Sequence, residues 1–195
     1  MVAKLLVQEM DGTPKQIVFG NHAGDFSPTA ANDLRISNDG SKEHDVEMAM
    51  TGLANGSYFQ SAKFDFGENR AEAYNVRGAI EWAATPTAGN TVDMWLAPSH
   101  SGTAGTGNAG GVSGANGAYT GYSSNAAASV KQLQWIGSFI ATAQATGTIQ
   151  VIEGFKFRPR ERYGSLVLLN GGGSAFHSDD VEIHIVFDPD VPESQ

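Results

Sequence analysis

The sequence predicts an all-β protein folded as a sandwich or a barrel. Apolar residues recur with a period of two almost everywhere along the 195 residues and with a period of 3.6 almost nowhere. The alternating stretches are short, roughly eight or nine in number, and polar or Gly-rich breaks separate them, as in a sheet with one face buried and one wet. No apolar run is long enough to cross a membrane as a helix, and no membrane partner is expected.

Each element follows from that alternation. Residues 4–9 and 16–20 are short apolar runs within a polar, turn-rich region, so residues 1–50 read either as an N-terminal arm or as edge strands. Residues 51–190 form the expected sandwich domain, and 191–195 are a tail. A strand over 58–66 comes first. Over 73–82, Tyr74, Val76, Gly78, Ile80 and Trp82 take one face, while Asn75, Arg77 and Glu81 take the wet one. Val92, Met94 and Leu96 define the next strand and place Trp95 on the opposite parity. Strands over 134–143, 148–158 and 163–170 follow, and Val181, Ile183, Ile185 and Phe187, interleaved with Glu182 and His184, complete the set. The helical signal is confined to the Ala-rich 125–133, with Ser124 or Asn125 as the cap of one or two turns.

Residues 98–129 have an unusual texture. No charged side chain occurs between Asp93 and Lys131, and Gly, Ala, Ser, Thr and Asn dominate the stretch. A loop of this length is either functional or a solvated linker. Tyr119 and Tyr122, whose rings anchor a loop by being buried, favour an ordered loop lying on a neighbouring copy or a partner, as does the lack of charge.

Charge and motifs narrow the function classes. With 21 acidic against 12 basic side chains the formal charge is −9, which opposes nucleic-acid binding, because phosphate contacts require a dominant basic face. The absence of cysteine removes disulfide scaffolds and Cys-based zinc sites. Gly105-Thr-Gly107-Asn-Ala-Gly110 has the spacing of a dinucleotide-binding loop. It follows a Pro-Ser-His break, however, and leads into no helix, so no cofactor is expected. Gly111-Val-Ser113-Gly-Ala fails the nucleophile-elbow pattern at its last position, and no nucleophile has a visible base, so no enzymatic activity is expected. The metal candidates are His177, Asp179 and Asp180, joined by His184. A polar turn closing a hairpin after Gly171, Gly172 and Gly173 is the preferred reading of that segment.

Against the acidic background stands one basic stripe. Lys156, Arg158, Arg160 and Arg162 alternate, so an extended segment projects all four from one face, with Phe155 and Phe157 opposite. The stripe reads equally well as a grip on an acidic neighbouring subunit or anionic glycan and as a charged edge, helped by Pro159, that discourages strand pairing. Tyr119, Tyr122 and the four cations are the expected inter-subunit or partner contacts.

Here the chain begins to resemble a known group. Arg158-Pro-Arg-Glu-Arg-Tyr163-Gly-Ser-Leu-Val-Leu-Leu-Asn170, then Gly171-Gly-Gly-Ser-Ala-Phe176, and finally Val181-Glu-Ile-His-Ile-Val-Phe-Asp-Pro189 resemble the C-terminal part of small structural proteins of tailed bacteriophages. The similarity extends loosely upstream to Trp95-Leu-Ala-Pro98 and Lys131-Gln-Leu-Gln-Trp-Ile-Gly137. The resemblance implies a jelly-roll-like antiparallel β-sandwich incorporated in a virion, often as a capsid decoration protein and often trimeric. The expected partners are then the major capsid or another virion protein and further copies of the chain. The alternative is a glycan-binding module of a phage fibre or other tail or adhesion component. For that reading Trp95 is the platform, with Tyr119 and Tyr122 beside it, and the competing assignment of Trp95 is the core.

Overall fold

The computed structural model describes residues 15–21, 43–178 and 183–190. The strands are β1 (Gln16–Gly20), β2 (Glu43–Glu47), β3 (Tyr58–Gln60), β4 (Phe64–Asp65), β5 (Tyr74–Glu81), β6 (Thr91–Ser99), β7 (Gly117–Ala118), β8 (Gln134–Ile140), β9 (Ile149–Phe157), β10 (Tyr163–Asn170) and β11 (His184–Pro189). They build two sheets, ordered β2-β1-β11-β5-β9 and β7-β3-β10-β6-β8, with β4 pairing on β10. Setting aside β2 and β7 at the sheet ends and the off-path β4, the chain changes sheet at every step except from β6 to β8. This interleaving is that of an eight-stranded jelly roll.

All strand pairs are antiparallel except β1–β2, which runs parallel, a departure from the expected purely antiparallel sandwich. Residues 16–20 and 43–47 thus both belong to the five-stranded sheet, the first as a fully buried inner strand and the second at its edge. The run at 4–9 and the segments 179–182 and 191–195 lie outside the described residues.

The core lies between the sheets, where alternation sends Val76, Ile80, Val92, Met94, Leu96, Ile185 and Phe187. Phe187 gathers aromatic neighbours edge-on, Phe19 at 4.7 Å and Phe157 at 4.8 Å between ring centroids. Such pairs add about 0.5–1.5 kcal/mol each beyond the area they bury. Glu81 departs from its expected wet position and is buried, because the chain after β10 folds back over the end of β5. Trp82 there bridges to Phe176, the His177 N–H donates to the Glu81 carbonyl at 2.9 Å, and His177 Nδ1 stands 3.2 Å from the Glu81 carboxylate.

That fold-back is fastened by Asn170, fully buried at the end of β10. Its amide donates to the carbonyls of Leu53 and Ser174 at 2.8 and 2.9 Å, and its Oδ1 accepts from Gly172 N at 3.0 Å. Gly172 lies so close against the indole of Trp82 that a methyl group would overlap the ring. Gly172→Ala is therefore expected to lower stability in urea by about 1–3 kcal/mol through overpacking. Gly105→Ala, with nothing within 4 Å of the new methyl, should leave the urea midpoint unchanged.

The five-stranded sheet also carries a proton-linked element. Burial, with Arg77 adding to it, pushes the His184 imidazole down to about 4, and burial also lowers His44 against the opposing effect of Asp45 and Asp65. Between its ordinary value near 6.5 and about 4, the unfolded chain takes up a proton at His184 that the folded chain refuses. Stability is expected to fall as the pH drops through that window. Urea midpoints measured from pH 7 to pH 4 should show the slope, and His184→Gln should reduce it.

Candidate functional site

The outer face of the six-stranded sheet carries the most distinctive chemistry. On β6 the odd residues face outward, and the ladder sets Trp95 opposite Val167 on β10 and Trp135 on β8, with Asp93 opposite Leu169 and Ser138. Between Met94 and Trp95 the β6–β8 register shifts, so that Met94 faces Gly137 and Trp95 faces Trp135, with Ile136 as the extra residue. Without that bulge Trp135 would face Leu96 and share the inward parity of Phe139. The extra residue turns it to the outside.

The result is a row of aromatic rings that passes from the interior to solvent. Buried Tyr119 lies 6.1 Å from Tyr58, Tyr58 lies 6.3 Å from Trp95, and Trp95 meets Trp135 edge-to-face at 5.2 Å. Trp95 is half-buried on the outer face and packs against the second apolar core, and Trp135 is 51% exposed. Beside the rings, Asp93 accepts a hydrogen bond from the Ser138 hydroxyl, and among the described residues no cation pairs with it. Burial and the neighbouring Asp93 charge raise the Tyr58 hydroxyl above its ordinary range.

The neutral loop covers the other half of the same face. It contains two 3-10 turns, Ala109–Gly111 and Tyr122–Ser124, and then the short helix α1 (Ala126–Ser129), capped by Asn125 Oδ1, which accepts from Ala128 N at 3.0 Å. Val112, Tyr119, Val130 and Leu133 pack on Ala97 and Val167 in a second apolar core. The loop is ordered, and part of its uncharged surface is used against its own sheet. Tyr119 accordingly is not presented to a partner; it is buried, and its hydroxyl donates to the Gly110 carbonyl at 2.6 Å. Tyr122 is 54% exposed.

The loop's charge comes from outside it. Lys63 Nζ donates to Ser99 Oγ at 3.0 Å and to the carbonyls of Ser101, Thr103 and Thr106 at 2.9, 2.6 and 2.7 Å, and desolvation lowers its pKa. Gln60 adds a second clasp, donating to the Ala115 carbonyl at 3.0 Å and accepting from Ser113 N at 3.2 Å.

The basic stripe is dispersed. β9 ends at Phe157, so residues 158–162 turn instead of continuing an extended face. Lys156 pairs with Asp190, Arg158 with Glu72 at 2.7 Å, and Arg162 grips Asp65 at 2.7 and 2.9 Å and Glu68 at 3.1 Å while lying 5.1 Å from the Tyr163 ring. The Arg162 hydrogen bonds hold the Asp65 carboxyl below its usual range. Arg160 is exposed and makes no ion pair among the described residues. Of the metal candidates, His177 is placed against Glu81, His184 is half-buried on β11, and Asp179 and Asp180 lie outside the described residues. Among the described residues no three potential ligands cluster.

Comparison of the chain with protein-family models, with curated proteins and with solved structures returns no match. Trp135, Tyr58, Asp93 and Lys63 are site residues that sequence reasoning did not single out. The only signal for Trp135 was its place in an alternating strand, and that signal pointed inward. Removing the Lys63 ammonium takes a donor from two part-buried acceptors, Ser99 Oγ and the Ser101 carbonyl, and a buried polar group left unsatisfied costs about 1–3 kcal/mol. In Lys63→Met, hydrogen exchange over residues 99–114 is expected to rise well before the sandwich unfolds, and unchanged protection there would show that the clasp is dispensable.

Proposed function

We propose that the protein is a non-enzymatic structural component of a phage particle, a capsid-decoration-like subunit that contacts its own copies and another virion protein. The carrying observation is where large apolar side chains remain exposed. Among the described residues these are Tyr122, Trp135, Ile140 and Val151, and the last two lie on β8 and β9. Those strands end their respective sheets on one side of the sandwich, where the Gln150 amide donates to the Ile140 carbonyl at 2.7 Å.

Both edges are also bulged, β8 at Ile136 and β9 at Gly154, which has φ 110°. Bulges blunt sheet extension through the backbone, so contact here is made by side chains. Scattered apolar residues are ordinary, but a grouping along two adjoining edges suits a protein interface. The resemblance of the C-terminal segment to phage structural proteins supports the particle setting, and repeated modest contacts on a lattice add up through avidity.

Size-exclusion chromatography with light scattering should give an oligomer, a trimer on the resemblance. Ile140→Asp combined with Val151→Asp should give a monomer with an unchanged circular dichroism spectrum. Mass spectrometry of particles released from cells that carry the gene should find the chain in them. A wild-type monomer at high micromolar concentration, together with particles that lack the chain, would sink the reading.

A further inference from the structure

We propose that the uncovered half of the outer sheet face is a binding site for a neutral glycan, with Trp135 as the stacking surface and Asp93 as the hydrogen-bond acceptor. The inference goes beyond the particle role; Ile140, opposite Thr91, stands at the end of this face, whereas Val151 lies on the other sheet. Three features of the face converge on it.

Trp135 is built to face outward. A register shift, with its unpaired residue, turns an indole that alternation alone would bury into a 51% exposed plate, which packs against the Trp95 ring in a T-shaped contact at 5.2 Å. A flat, pre-positioned ring loses little entropy when a ligand lies on it. Asp93 stands two residues from Trp95 along β6, with Ser138 across the ladder donating to Oδ1, which leaves Oδ2 to accept from a ligand. Charge then selects the ligand. None of the outward residues Tyr58, Thr91, Asp93, Ser138 and Leu169 is basic, and the chain as a whole carries −9, so an anionic ligand is opposed.

An apolar plate beside a carboxylate without a cation matches a polyol that offers C–H groups on one face and O–H donors at its rim. From β8 to β3 the face spans three strand spacings, about 14 Å. That length suits a short oligosaccharide better than a single sugar, with the ordered loop as a wall at one side.

The test uses the full chain, a glycan array to find neutral ligands, and tryptophan fluorescence titrations with maltoheptaose, cellohexaose and chitohexaose beside anionic polygalacturonate and heparin. At least one neutral glycan is expected to bind saturably. Trp135→Ala should weaken that binding by about tenfold or more, and Trp135→Phe, which keeps a ring, should weaken it less. Asp93→Asn should weaken it several-fold, Val151→Asp should leave it unchanged, and circular dichroism should show every variant folded. The proposal is overturned if no neutral glycan binds, if only the anionic polymers bind, or if Trp135→Ala binds like wild type. It is equally overturned if Trp135→Ala alters only the oligomeric mass, which would make this face a protein contact. Because the assay uses isolated protein, its failure leaves the particle reading standing, and the converse also holds.

Discussion

The pairing of β6 with β10 is the constraint on which the rest of the sandwich depends. Eight consecutive residue pairs, from Tyr163 opposite Ser99 to Asn170 opposite Val92, run without interruption. One face of this ribbon sends Val92, Met94, Leu96, Leu166 and Leu168 into the main core, and the other sends Ala97 and Val167 into the core beneath the neutral loop. A slip of one residue would exchange the two sets and leave both cores without their side chains. Burial on both faces also explains why Leu166-Val167-Leu168-Leu169 is a continuous apolar run where most other strands alternate.

Much of the fold was therefore legible in the sequence, and the exceptions have identifiable causes. The strand at 163–170 was readable to its ends because an apolar run stops at Asn170 and three glycines. The alternation at 73–82 gave the inward face correctly but missed Glu81, whose burial depends on a turn ninety or so residues later in the chain. Period-two reasoning assumed that the basic stripe stays extended, and it fails where β9 ends before Pro159 and three of the four cations, Lys156, Arg158 and Arg162, pair with separate acids. The two loop tyrosines look alike in sequence, yet one is buried with its hydroxyl on Gly110 and the other faces water.

The site itself was only partly legible. Trp95 could be placed outward by parity, but its neighbour Trp135 could not, because a bulge changes parity without leaving a fixed residue signature. Lys63 was invisible for a different reason. Three of its four acceptors are main-chain carbonyls, which every residue possesses, so no composition or spacing could announce them.

The Lys63 clasp has a consequence for the surroundings in which the outer face can keep its shape. Loops held by a bound calcium or similar ion depend on supply, since chelators, competing ions or simple dilution strip the ion away and the loop loosens. Here the cation is covalently attached to the strand region it serves, and its local concentration is set by the side chain's length instead of by the medium. The contour of the aromatic face is thus decoupled from the mineral content of whatever fluid bathes it.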